Sequence, residues 1–476
     1  MTSAELILAR VCAALDALVR AGAPYHGLIP SVLDLQSGQL LETLPAPIPG
    51  QRMEDRSHPG CNLIHDQALL ATLLALAEAL GRPDYGAAAG DYLRHWATHC
   101  TATVTGLFPW GEHAFWHLRE NRVGNSYLLR APARPGGAPG ATHDHLRQAP
   151  LWLWQALTQY PPQCVERFGE GLDFHWKEGE PPEYSRHAAI EAPVRPPRDR
   201  RSFDFPRHSG FYIFDWSFAY LQTGRAEFLH QATQMADYWW LKRDHCGLLL
   251  IESRSPASDV HFFNANAPGQ TISLAASLLE AAGLLQPARP DLAGVWRERA
   301  AVYLDGFFAA PHDLDRGVFV LLCDRTTNEA REVMPVWGSR YGVWPAAYVA
   351  LTALCAYRLT RDHRLLSWAA AVGRRYDGEP LPPGVAVPAM DAGLGLELLA
   401  DLYDLTGDRR WLDAALHLAG TLLAVYLDTR LPRGAAGIGW YESQMGPAFL
   451  LHGLARTALL SLDRDHCPLA PDYTTR

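Results

Sequence analysis

Apolar residues recur at three- and four-residue intervals through 64–80, 272–284, 343–359 and 393–405. That spacing gathers them on one helical face, and each run is followed by a short polar break and a second helical run. Four of the breaks share a skeleton: LGRPDYGAAA at 80–89, LQTGRAEFLHQA at 221–232, LTRDHRLLSWA at 359–369 and LTGDRRWLDAA at 405–415. Four residues beyond Gly81, Gly224, Arg361 and Gly407 stands a large apolar side chain: Tyr85, Phe228, Leu365 or Trp411. Eight residues beyond them stands Ala89, Ala232, Ala369 or Ala415. Glycine ends a first helix by taking a left-handed backbone. The large and small residues, one turn apart, then dock the second helix on the first. Repeated helix hairpins must stack to bury their faces, as an open solenoid or a closed ring.

Closure is favoured by what interrupts the pattern. The loops at 108–147, 177–209, 253–271, 314–341 and 431–446 are long, unequal and rich in titratable and aromatic residues. Long loops in a compact protein are usually functional. Some should pair as short strands, for example GVFVLL at 317–322. The Pro/Arg-rich stretch EAPVRPPRDRRSFDFPRHSG either crosses the mouth of a site or is a surface loop. No composition shift marks a linker, so the expectation is one domain over 1–476, with 1–60 as an N-terminal helix and extended lead-in.

The 476 residues are 48% hydrophobic and 20% charged, an ordinary globular balance. A net charge of -9 argues against nucleic-acid binding, although arginines cluster between Arg186 and Arg207. The eight cysteines show no metal-ligand spacing and read as reduced, mostly buried thiols. The first 22 residues mix acids and arginines with apolar residues. They read as an amphipathic helix rather than a signal peptide. With no run long enough to span a membrane, the expected location is the cytoplasm.

The chemistry concentrates in the loops. GLFPWGEHAFWHL sets Glu112 and His113 among Trp110 and Trp116. EYSRHAAI carries Arg186 and His187, and FDFPRHSGFYIFDW carries Asp204, Arg207, His208 and Tyr212, with Arg207 near a helix start. Helix N-termini favour negative charge, and arginine grips carboxylates through a planar fork. Three later loops bring amides and aromatics: Asn264; Trp337, Arg340 and Tyr341; Trp440, Tyr441 and Glu442. Aromatic faces pack on pyranose rings while carboxylates, imidazoles and guanidinium groups take the hydroxyls. Each such residue has a bland alternative as core or rim, so the specificity lies in the set.

The hairpin skeleton and aromatic loops resemble the (α/α) toroid or barrel superfamily of carbohydrate-active enzymes. GLFPWGEHAFW and FDFPRHSGFYI are similar to pectate-lyase-like and uncharacterised glycosidase-like bacterial proteins of that class. The resemblance implies an all-α toroid of roughly six helix pairs, (α/α)6 in type, with a few short β-hairpins. It also implies glycosidic-bond cleavage in uronic-acid-containing glycans. β-Elimination needs a cation for the carboxylate, a base and a proton donor, which Glu112, His113, His187, Arg207, His208 and Tyr212 could supply. Hydrolysis needs a second carboxylate beside Glu112, from Asp204, Asp215, Asp391 or Glu442. A 2-epimerase-like isomerase and a non-catalytic glycan binder stay open. Trp110, Trp116, Arg186, Asp204, Asn264, Trp337, Arg340, Tyr341, Trp440, Tyr441 and Glu442 are the expected sugar contacts. No cofactor is expected; a divalent metal on Glu112, His113, His187 and His208 is the less favoured option. The expected partner is an acidic saccharide, with no nucleic acid and no membrane; the oligomeric state is open.

Overall fold

The computed structural model describes residues 2–130, 138–198, 202–254, 265–340 and 342–475. Its helices are α1 (Ser3–Gly22), α2 (Leu63–Ala79), α3 (Pro83–His95), α4 (Leu151–Thr158), α5 (Gln163–Gly171), α6 (Pro206–Thr223) and α7 (Ala226–Trp240). They continue with α8 (Pro268–Leu285), α9 (Pro290–Ala309), α10 (Ala346–Thr360), α11 (His363–Gly378), α12 (Ala389–Thr406), α13 (Arg409–Tyr426) and α14 (Pro447–Leu462).

These helices close a ring. Each of α6, α8, α10, α12 and α14 packs on the next, and α14 packs on α2. The short pair α4 and α5 fills the gap between the α2/α3 hairpin and α6. Around this inner ring lie α3, α7, α9, α11 and α13, with α1 seated on α13 and α14. Burial follows the layers. Inner α6 buries every residue from 206 to 219. Outer α7 and α13 bury one stripe each, as expected for a helix with one wet face.

The four repeated breaks are the hairpin turns of this ring. Gly81, Gly224, Arg361 and Gly407 all hold left-handed φ, between 62° and 71°. Arg361 thus does what glycine does at the other three, at a steric cost glycine avoids. Tyr85, Phe228, Leu365 and Trp411 are buried, as are the four alanines that follow them.

The loops supply twelve short strands: β1 (Val32–Asp34), β2 (Gly60–Cys61), β3 (Ala114–His117), β4 (Arg122–Asn125), β5 (Thr142–His143) and β6 (Ala188–Ala189). The rest are β7 (Ser202–Asp204), β8 (Glu252–Arg254), β9 (Ala265–Asn266), β10 (Val320–Asp324), β11 (Ala330–Val333) and β12 (Trp440–Glu442). All pair antiparallel. The strand expected in 317–322 is β10, begun three residues later. Val32 pairs with Glu442, so the lead-in is stitched to the last long loop. The eight cysteines are free thiols, five of them buried. Among the described residues no helix is long and apolar enough to cross a membrane.

Candidate active site

Several inner helices begin on one rim of the ring, and their first turns face a common cleft. A cavity of about 780 Å³ is lined by Arg52, Glu112, His113, Arg186, His187, Arg207, His208, Gln270 and Trp344, among others. A smaller lobe of about 140 Å³ shares Glu112, Leu146, Arg207, Gly342 and Trp344 with it, so the two form one cleft. The smaller lobe adds Asp55, Arg147, Arg340, Tyr348, Met390 and Gln444. Arg207 and His208 lie in the first turn of α6, Gln270 in that of α8, Tyr348 in that of α10 and Met390 in that of α12. Four helix dipoles thus present their positive ends to the cleft.

Arg186 sits between two acids. Its Nη2 donates to Glu112 Oε2 at 3.0 Å and its Nη1 to Asp144 Oδ2 at 2.9 Å. Arg52 donates to Glu112 at 3.4 Å and to Asp55 at 2.5 and 2.8 Å. Burial alone would raise Glu112, but Arg186, Arg52 and His113 outweigh it and hold this carboxyl below its ordinary value. Asp55 and Asp144 go the other way: burial first and the Glu112 charge second raise both. One carboxylate is kept charged at the expense of its neighbours. Gly111, at φ 97°, lets the chain press on the Asp144 backbone, where a Cβ would collide. The Glu112 N–H then reaches Asp144 Oδ1 at 3.3 Å.

The imidazoles line both walls. His113 stacks on Tyr127 with ring centres 4.3 Å apart, and its Nδ1 meets the Glu54 carbonyl at 3.0 Å. Burial lowers its pKa to about 4. His187 stands edge-on to His113 at 5.1 Å, with Nε2 3.8 Å from Asp144. His208 packs against Phe205 and Phe211. Its buried Nδ1 has no hydrogen-bond partner among the described residues. Burial, then Arg186 and Arg207, push His208 well below the usual imidazole value, so it stays neutral.

Arg207 donates from Nη2 to the carbonyls of Leu146 at 2.5 Å and Thr475 at 3.1 Å. Its guanidinium lies 5.2 Å from the centre of the Trp344 ring. Burial lowers it to about 10, which leaves it charged at neutral pH.

Glu112, His113, Asp144 and His187 each offer a ligand atom, all within 4.8 Å of one another. Mixed oxygen and imidazole donors suit a borderline divalent cation. Asp144 takes the place in this set that the sequence suggested for His208, which stands on the α6 wall.

Several expected residues lie elsewhere. Trp110 is buried in the wall, and its Nε1 donates to His143 Nε2 at 2.9 Å. His143 Nδ1 is 2.8 Å from His175 Nε2, and His175 Nδ1 is 2.8 Å from the Ser185 carbonyl. Indole can only donate and a carbonyl only accept, so all three hydrogens point toward Ser185. Burial keeps both imidazoles neutral, as that order requires. The relay pins the backbone just before Arg186.

Tyr212 is likewise behind the wall, with its hydroxyl 3.4 Å from the Arg186 carbonyl. Trp116 is buried on β3 and donates to Asn121. Trp337 is buried against Tyr376 and donates to the Glu379 carbonyl; Trp344, seven residues on, is the tryptophan at the cleft. Asp204 is buried against Tyr238 and Lys242. Trp440 donates to Glu442, Tyr441 is in the core, and Glu442 is locked to Arg56 at 2.6 Å. Strand β12 therefore braces the rim instead of facing the cleft. Arg340 edges the smaller lobe and pairs with Glu332. Asn264 and Tyr341 lie outside the described residues. Asp144, in THDHLR, and Trp344, the second tryptophan of MPVWGSRYGVW, were legible as loop residues without an assigned role; Arg52, Asp55 and Gln270 were missed. HDH at 143–145 was a signal for Asp144, whereas nothing in the lead-in marked Arg52 or Asp55.

The ring of helix hairpins with its rim loops defines an (α/α) toroid. An α-1,2-mannosidase from Trichoderma reesei shares the fold with a TM-score of 0.55 and 12% identity, over 95% of this chain and 93% of that one. An unsaturated glucuronyl hydrolase specific for heparin aligns with a TM-score of 0.46 and 12% identity, over 96% and 98%. A cellobiose 2-epimerase from Bacillus thermoamylovorans gives 0.45 and 10%, over 95% and 99%. In sequence, residues 42–126 match the family described as periplasmic pectate lyase. That segment carries Arg52, Asp55, Glu112 and His113. No curated protein matches the sequence. The cytoplasmic expectation is corrected here, because the matching family is a periplasmic one.

Proposed function

We propose that the protein is a lyase that cleaves uronic-acid-containing oligo- or polysaccharides by β-elimination. The observation that carries this reading is the Arg207–His208 pair, a buried cation and a neutral imidazole side by side on the cleft wall at the start of α6. A uronate carboxylate set against Arg207 has its charge met by the guanidinium and by the helix dipole. Neutralised in that way, it acidifies the neighbouring C5–H. His208 removes that proton, the C4–O bond breaks, and a C4–C5 double bond forms. The imidazolium then holds the proton that the departing oxygen needs. Trp344 offers a flat face for the ring. A divalent cation held by Glu112, His113, Asp144 and His187 would, when bound, add further charge neutralisation at the carboxylate.

Hydrolysis finds less support. Glu112 and Asp144 are both bound by Arg186, which sits between the two carboxylates that a hydrolase would set on either side of the bond. The other candidate acids are engaged away from the larger lobe. Asp215 is buried against His145 and Trp154, Asp391 accepts from Gly338 and Ser339, and Asp204 and Glu442 are paired as above. The residues 42–126 match points the same way.

The test is ultraviolet absorbance during digestion of galacturonate or glucuronate oligomers, followed beside new reducing ends. Absorbance should rise in step with the ends. New ends without absorbance would make the protein a hydrolase. Arg207→Ala should lower kcat/KM by about 100- to 1000-fold, the weight of one charge-stabilising donor, with the fold intact.

A further inference from the structure

We infer that the segment after α14, residues 463–475, is a strap that rises through the ring and holds Arg207 in its working position; this rests on the reading above. The strap is anchored in the lower half of the ring. Arg456 donates to the Leu469 carbonyl at 3.2 Å. The Tyr473 hydroxyl donates to Asp401 at 2.5 Å and accepts from Arg358 at 2.7 Å. Asp472 then turns the chain by accepting from the Thr474 N–H at 2.8 Å and its hydroxyl at 2.6 Å.

Beyond that turn the strap meets the cleft floor. Gln148 N–H donates to the Thr474 carbonyl at 2.9 Å, and Arg207 Nη2 donates to the Thr475 carbonyl at 3.1 Å. Thr475 is fully buried. The other carbonyl gripped by that nitrogen belongs to Leu146, in the segment that Thr474 itself braces. Two chain segments remote in sequence thus converge on one guanidinium nitrogen. Carbonyl acceptors orient the group without cancelling its charge. The strap residues are therefore positioning residues; Arg207 is the group that would touch substrate.

The test removes the last three residues, 474–476, which leaves the Tyr473 anchor in place. A second variant, T474G/T475G, loosens the strap without shortening it. Phenylglyoxal labelling with peptide mapping reads Arg207 directly, with the exposed Arg195 as reference. Labelling at Arg207 should quicken by about 10-fold, and kcat/KM on a uronate oligomer should fall by about 10-fold, the weight of one hydrogen bond to a charged group. In an Arg207→Ala background the truncation should cost nothing further. Unchanged labelling in both variants, or an equal cost of truncation in that background, would overturn the inference. Faster labelling in a protein that eliminates no uronate would keep the strap and remove the lyase reading instead.

Discussion

Two largely buried charge clusters sit at different depths of the ring, each with two arginines and three acids, and in each one arginine is about one-third exposed. In the lower one Arg456 reaches Glu397 at 3.0 Å, Asp401 at 3.0 Å and Asp404 at 2.8 Å, while Arg358 reaches Asp401 at 2.6 Å and Asp404 at 2.7 Å. Burial would raise Glu397, but Arg456 and His452 outweigh it and hold it below its ordinary value. In the cleft the same ratio gives the opposite result. Both arginines converge on Glu112, and Asp55 and Asp144 are raised by burial and by that charge. Shared acids in the lower cluster spread the positive charge. The single shared acid in the cleft concentrates it and leaves two neighbours ready to take up protons or bind a cation. The first arrangement stabilises a fold; the second is poised for a ligand.

The largest effect should come from Arg456→Ala. It strands buried carboxylates and should cost about 3–5 kcal/mol, the usual consequence of breaking a buried pair, measured by denaturant unfolding. Arg186→Met, its cleft counterpart, should cost less, about 1–3 kcal/mol, because Asp144 can hold a proton. Its cost should grow from pH 6 to pH 8 as the raised carboxyls are forced to ionise. Equal, pH-independent costs would erase the contrast between the clusters.

Next comes His113. Its folded pKa, about 4, lies below the unfolded value of roughly 6.5. Its contribution to stability is therefore complete above pH 6.5 and is lost as pH falls toward 4. His113→Asn should flatten the stability profile in that window by at most about 1.4 kcal/mol per pH unit, read from unfolding midpoints. For turnover, a neutral His208 predicts an acid limb of kcat/KM displaced below pH 6.5, and a limb at the ordinary imidazole value would count against it as the base. The smallest effect belongs to Arg340→Ala. Its pair with Glu332 is exposed and should be worth under about 1 kcal/mol.

The ring was legible because hairpin docking repeats: the large residue, the alanine and the left-handed turn are local and recur four times. Glu112, His113, Arg186, His187, Arg207 and His208 were legible as doublets in interrupting loops, and the structure brings all six to the cleft. The aromatic contacts were not. Trp110, Trp337 and Trp344 have similar sequence surroundings, and only the direction of each side chain separates wall from surface. Arg52 and Asp55 come from a lead-in without periodicity, and the carbonyl of Thr475 has no side-chain signature at all.

The line from Trp110 through His143 and His175 to Ser185 has one further consequence. Its first member can never receive a hydrogen and its last can never give one, so the line is closed to conduction at both ends. No proton can be relayed along that route. The wall behind Arg186 is therefore a fixed brace, fully ordered yet unable to carry a proton.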